Sequence, residues 1–242
     1  MRRWIPELAA VPLLPFLMLQ GRTARRRIPR LPEADGPTEG IHGTQHGGQP
    51  LRLVGIGEST IAGVGVQWQD EAITAQLAAQ LSMRFRRSVA WQSLGRNGAT
   101  LDHGILHLLP ALPACHADIV LIGFGVNDTT SFLSPNRWRD KLTQLLDMVN
   151  RRLQPSGILL SGVPPVGRFP ALPMPLRTVL GLKAATLDNE ARLVARRYAN
   201  VSHVPLPPSI LQPHLMASDG FHPSAAGCAT WAMRLAASCP TP

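Results

Sequence analysis

Ser59 follows the run Leu51-Arg52-Leu53-Val54-Gly55-Ile56-Gly57-Glu58 and precedes the small residues Thr60, Ala62 and Gly63. An apolar strand running into a glycine-punctuated turn would present this one hydroxyl, and small neighbours would leave it open to a substrate. A serine hydroxyl becomes a useful nucleophile only when a base accepts its proton. Asp219-Gly220-Phe221-His222-Pro223, far downstream, holds such a base in His222. An imidazole titrates near neutral pH, and a carboxylate three residues upstream would fix its tautomer and stabilise the imidazolium. Two more stretches follow strand-like runs: Gly95-Arg96-Asn97-Gly98-Ala99-Thr100 and Gly125-Val126-Asn127-Asp128. Each stretch alone also has a plain reading. Ser59 would be a surface serine at a strand exit, Asp219 the cap of a turn, and Asn127 a turn residue bonded to its own backbone.

Together, in this order and at these separations, the four stretches resemble the SGNH (GDSL-type) hydrolase family of esterases and lipases, from residue 51 to the C-terminus. The resemblance implies an acyl-enzyme on Ser59, with Asp219 and His222 completing a catalytic triad. It also implies an oxyanion hole made of the Ser59 N–H, the Gly98 N–H and the Asn127 side-chain amide, with no cofactor and no metal. Gly95 competes with Gly98 for that role, but Gly98 stands directly before Ala99-Thr100, as the family pattern prefers. The chain departs from the family at Glu58, where Asp is usual. The longer acid is expected to face away from the substrate and hydrogen-bond the loop, which tunes activity but also leaves room for an inactive member. The G-x-S-x-G nucleophile elbow of another hydrolase fold is disfavoured, because position 61 is Ile. Asp128 reads as a turn residue or as a support behind the site rather than as a catalyst. His103 and His107 stand at a chelating spacing without a third ligand, so they read as solvent-facing or packed histidines.

The elements that must position these residues follow from periodicity. Residues 71–87 carry Ile73, Leu77, Leu81 and Phe85 on one helical face, and residues 134–153 carry Trp138, Leu142, Leu145 and Val149. Residues 176–198 and 224–237 read as further helices, and residues 101–109 as a short one. Strands are expected at 51–56, 88–94, 118–123, 157–163 and 201–205. Strands alternating with helices predict an α/β fold, a three-layer α/β/α sandwich with a five-stranded, mostly parallel sheet. In such sheets ligands sit beyond the carboxyl ends of the strands, where all four stretches would lie. The proline-stiffened loop of residues 163–175 should overhang the same rim. There Phe169, Leu172 and Met174 either line an acyl pocket or pack the loop onto the core.

Composition bounds the rest. A chain of 242 residues with 45% apolar content can bury one sizeable core. Its net charge of +9 is lopsided: seven arginines against Glu7 place six of those charges in residues 1–30. With no zinc-finger spacing and no aromatic-interleaved basic strand, nucleic-acid binding is not expected. Cys115, Cys228 and Cys239 form neither a disulfide framework nor a zinc knuckle, and read as packed thiols.

Met1-Arg2-Arg3 precedes an apolar run from Leu8 to Leu19 that contains Pro12 and Pro15. The run is too short for a comfortable membrane span, and no A-x-A cleavage site follows it. The organisation expected is therefore a hydrophobic segment (1–21), an Arg/Pro/Gly-rich linker (22–50) and a hydrolase domain (51–242). The segment reads as an uncleaved anchor or as lying in a lipid interface, with a flap packed on the domain as the alternative. Its arginine bias puts the following chain on the cytoplasmic face of a bacterial-type inner membrane, although secretion to the periplasm stays open. The expected protein is a monomer acting on a small-molecule or lipid ester: a medium acyl ester, lysophospholipid or thioester. The rival readings are a carbohydrate O-acetyl esterase with the same machinery and a catalytically silent membrane-tethered binding module.

Overall fold

The computed structural model describes residues 5–112, 116–206 and 208–241; Arg2, Arg3 and Cys115 lie outside them. Six strands form one sheet in the order β1-β3-β2-β4-β5-β6: β1 (Glu39–His42), β2 (Leu51–Gly57), β3 (Val89–Gly95), β4 (Ile119–Gly123), β5 (Gly157–Ser161) and β6 (Val201–Val204). β2 to β6 are parallel, and β1 joins β3 antiparallel at the edge. The helices are α1 (Ile5–Ala10), α2 (Leu14–Arg27), α3 (Ile73–Phe85), α4 (Leu101–His103), α5 (Leu109–Ala111), α6 (Val126–Thr130), α7 (Pro135–Leu153), α8 (Leu176–Ala195) and α9 (Ala225–Ala237). A π-helical turn, Gly104–Leu108, joins α4 to α5.

The sheet is buried on both faces, which is why its central strands are continuously apolar rather than alternating. Every residue of β2 except Arg52 is buried, and so is every residue of β5. Val54, Ile56, Val120 and Ile122 face one layer, packing with Trp138, Leu142 and Val149 of α7 and Val179 and Leu187 of α8. Leu51, Leu53, Ile119 and Leu121 face the other, against Ile73, Leu77 and Leu81 of α3 and Trp231 and Leu235 of α9. The three-layer sandwich expected from the sequence is thus present. Ser134 caps α7, its Oγ accepting from the Arg137 N–H at 3.4 Å, and Pro135 follows at the first helical position. Gln154 ends α7 in the left-handed region at φ 47°. Cutting fully buried Trp138 back to alanine would cost about 3–5 kcal/mol.

One expectation is corrected. The sheet has six strands, not five, and the extra one comes from the segment read as a linker: Gly40 and Ile41 pair with Trp91 and Ala90. Backbone pairing orders a stretch whose composition carries no strand signal. The apolar N-terminal run, read as an anchor, an interfacial segment or a packed flap, is helical. α1 and α2 lie against α8, with Ala10, Leu17 and Ala24 buried there. Among the described residues no helix is long and apolar enough to cross a membrane.

Candidate active site

Gly57, Gly95 and Gly123 end β2, β3 and β4 at one level, because Gly57 is in register with both of the others. The chain leaves β2 toward β3 on one side, then returns across β2 to β4. This reversal opens a crevice at the strand ends, the usual place for a ligand in such sheets. Ser59, Gly98 and Asn127 lie two, three and four residues beyond those glycines and so share one rim.

Asp219 and His222 reach the same rim on the segment that leads into α9. His222 Nε2 lies 3.0 Å from Ser59 Oγ, and His222 Nδ1 lies 2.6 Å from Asp219 Oδ2. An ionised carboxylate only accepts, so Nδ1 carries the proton and Nε2 of the neutral ring is left to accept from the serine. Asp219 Oδ1 accepts the N–H groups of Phe221 at 2.9 Å and His222 at 3.0 Å, so the capped-turn reading and the triad geometry coexist. Burial would raise the Asp219 pKa, but the hydrogen bonds from the His222 ring and from the two N–H groups outweigh it and hold the carboxyl below its ordinary value. Phe221 stacks edge-on against His222 at 5.2 Å and against Phe169 at 4.8 Å, which fixes the outer face of the imidazole.

The two glycines that competed for one role separate clearly. A Cβ on Gly95 would sit 2.1 Å from Ala62 N, so Gly95 is there for close packing of two backbones. Gly98 has φ 81° and open space around the missing Cβ. Among the described residues neither the Gly98 N–H nor the Ser59 N–H has a hydrogen-bond partner. Two donors therefore remain free on the serine's rim.

The Asn127 amide is engaged by the protein itself. Its side-chain Nδ2 donates to Glu58 Oε2 at 2.6 Å and to Ala99 O at 3.0 Å, which engages both amide hydrogens. Glu58 is buried beneath the turn, where Oε1 also accepts the Val126 N–H at 2.9 Å and Oε2 the Asn127 N–H at 3.1 Å. Burial pushes the Glu58 carboxyl up to about 7 against those hydrogen bonds, with Asp128 nearby raising it further. The acid hydrogen-bonds the neighbouring loop, and it also stands among the residues that line the cleft. Its extra methylene, the one legible signal, carries it far enough to hold the asparagine side chain. Asp128 is buried and accepts the Leu101 N–H at 3.2 Å, a support for the loop after Gly98.

A narrow, mostly apolar cleft adjoins Ser59 and His222, lined by Phe169, Leu206, Ile210, Leu211, Met216 and Phe221. It encloses about 30 Å³. Of the three loop residues expected there, only Phe169 lines it. Leu172 is buried in the core, and Met174 is exposed, its sulfur 3.3 Å from Thr178 Oγ1. The turn in which the Leu172 N–H bonds to Phe169 O sends these side chains to different faces of the loop. Leu206, Ile210, Leu211 and Met216 were missed, because the irregular stretch after β6 has no periodicity to read. His103 and His107 stack at 4.7 Å, and no metal-holding cluster of His, Cys, Asp or Glu occurs among the described residues. Cys228 and Cys239 are buried free thiols, which burial pushes up to about 12 and about 11.

Comparison with known proteins adds three findings. The model of the GDSL-like lipase/acylhydrolase family matches residues 56–229. No curated protein matches the sequence. Among solved structures, the chain is similar to the lipase/acylhydrolase from Enterococcus faecalis, with a TM-score of 0.54 and 21% identity over 77% of this chain and 94% of that one. It is also similar to AlinE4, an SGNH-hydrolase family esterase, with a TM-score of 0.56 and 24% identity over 76% and 92%. A carbohydrate esterase family 2 enzyme with its carbohydrate binding domain, from Corynascus thermopiles, gives a TM-score of 0.58 and 14% identity. The chain covers 64% of that longer protein, with 77% of itself.

Proposed function

Since the chain belongs to the GDSL-like lipase/acylhydrolase family, we propose that it hydrolyses carboxylic esters through an acyl-enzyme on Ser59. The observation that carries this reading is the hydrogen-bonded chain from Ser59 Oγ through His222 to Asp219, standing beside two free backbone N–H groups. Ser59 Oγ attacks the ester carbonyl carbon while its proton passes to His222 Nε2. The developing oxyanion takes hydrogen bonds from the N–H groups of Ser59 and Gly98, donors already fixed before reaction. The imidazolium then gives its proton to the departing alkoxide oxygen, leaving the acyl-enzyme. Water attacks next, its proton going to Nε2, and collapse returns that proton to Ser59. Asp219 holds the ring in the required tautomer throughout. Asn127 supplies a third donor only when its amide turns away from Glu58 or Ala99.

The cleft beside Ser59 and His222 is narrow and mostly apolar, which suits the acyl part of an ester. A medium acyl ester, lysophospholipid or thioester is the first substrate class, and an O-acetyl ester the second.

Ser59→Ala tests the nucleophile. It should abolish p-nitrophenyl acetate hydrolysis while leaving the thermal unfolding transition in place; retained turnover in a folded variant would remove Ser59 from the mechanism. A panel of acetyl to octanoyl esters tests the acyl class, which fails if acetate is turned over and octanoate refused.

A further inference from the structure

Helix α2 and the 3₁₀ turn before it (Val11–Leu13) are divided along their length, in a way that docking on the protein does not explain. Only Leu17 and Ala24 of α2 are buried against the domain. Outside, Val11 is 71% exposed and Leu19 62%, with Leu14, Phe16 and Met18 each about half exposed. Arg22, Arg25, Arg26 and Arg27 follow directly, all exposed, and no described carboxylate pairs with them. Bulky apolar side chains standing in water over two turns, bordered by four uncompensated cations, match the depth profile of a bilayer surface. Apolar groups enter the acyl boundary and arginines stay among anionic headgroups.

The segment is fastened to the domain rather than trailing from it. Fully buried Lys183 of α8 pairs with Glu7 of α1. The Gln20 side chain donates to Met174 O at 2.6 Å and accepts the Leu176 N–H at 3.1 Å. Gln20 thereby grips the far end of the loop that carries Phe169 into the cleft wall.

We infer that residues 11–27 dock this protein on an anionic lipid surface, lying in the interface without crossing the bilayer. The apolar tip supplies insertion and the arginine cluster supplies selectivity for negatively charged headgroups. Because the segment is clamped to α8 and to the 163–175 loop, the docked protein is held as a rigid body. Its cleft then faces a fixed direction relative to the membrane. This inference stands independently of the reaction at Ser59.

The test is sedimentation of the full chain with vesicles of phosphatidylcholine alone or mixed with phosphatidylglycerol. The wild type should co-sediment with the mixed vesicles and far less with phosphatidylcholine alone. The triple variant Arg25→Gln, Arg26→Gln, Arg27→Gln should lose about tenfold or more of that partitioning. The variant Leu14→Ser, Leu19→Ser should lose a similar share. Both variants change only exposed side chains, so circular dichroism and p-nitrophenyl acetate turnover should match wild type. Absence of binding to the mixed vesicles would overturn the inference, as would binding that both variants retain. A second copy covering the face would also overturn it; light scattering would then show a dimer that becomes a monomer in the Leu14→Ser, Leu19→Ser variant.

Discussion

The Glu58 carboxylate, next in the chain to the nucleophile, lies 2.6 Å from the side-chain amide of Asn127 and takes up one of its two hydrogens. A donor usable by an oxyanion is thus bonded to the protein instead. Aspartate at this position would be one methylene shorter and would fall short of the amide while staying within the same turn. Glu58→Asp is therefore expected to free Asn127 Nδ2 and raise kcat for p-nitrophenyl acetate, by up to about tenfold, with KM little changed. Steady-state kinetics on the folded variant checks this, and an unchanged or lower kcat would show that the amide contributes nothing once freed.

The same carboxyl makes stability depend on pH. Its folded pKa of about 7 lies above the unfolded value of 4.5. Its contribution to stability is therefore fully present below pH 4.5 and declines as pH rises through 7. Glu58→Gln has no such titration. Wild type should lose stability relative to Glu58→Gln across that window, on the order of 3 kcal/mol, read from denaturant unfolding at a series of pH values. A parallel pH dependence of the two proteins would mean that Glu58 ionises normally.

Asp219 carries the opposite sign. Its folded pKa is depressed, so the stability it contributes is present above pH 3.8 and disappears as pH falls through the lower folded value. Asp219→Asn replaces a carboxylate acceptor at His222 Nδ1 with an amide. It is expected to lower kcat by about 10³–10⁴ at neutral pH while the chain stays folded. A drop below tenfold would mean that the carboxylate does not govern the imidazole.

Gly95 and Gly98 should respond differently to one added methyl. Gly95→Ala would force a carbon to within 2.1 Å of Ala62 N and is expected to destabilise by several kcal/mol or prevent folding. Gly98→Ala meets only the backbone penalty of φ 81°, about 1–2 kcal/mol. Thermal unfolding of the pair separates them, and equal losses would contradict the packing described around Gly95.

Phe169 closes the cleft and stacks on Phe221, so Phe169→Ala should widen the acyl range at a cost of about 3–5 kcal/mol. The octanoate-to-acetate ratio of kcat/KM is expected to rise, and an unmoved ratio would place the acyl group elsewhere.

Much of this architecture is legible in the chain because local and global preferences agree there. The apolar runs at Ile119–Gly123 and Gly157–Ser161 are strands, and the four-residue rows through Ile73–Phe85 and Pro135–Leu153 are helices, because one period serves both propensity and burial. β1 was illegible: Glu39-Gly40-Ile41-His42 has no strand pattern, and its order comes from pairing with Val89 to Gln92, far off in sequence. Ser59, Asp219 and His222 could be picked out because four stretches together resemble a known family, and the structure brings their side chains together. The engagement of the Asn127 amide could not be seen in that way. It depends on the reach of a single methylene in Glu58, a distance that sequence spacing does not encode.

The most direct measurement is active-site labelling of the full chain with a fluorophosphonate, followed by peptide mass mapping. The account predicts one phosphonyl group per chain, on Ser59, with labelling slowed by His222→Ala and absent in Ser59→Ala. A folded wild-type protein that takes up no label, or takes it up at a residue other than Ser59, would contradict it.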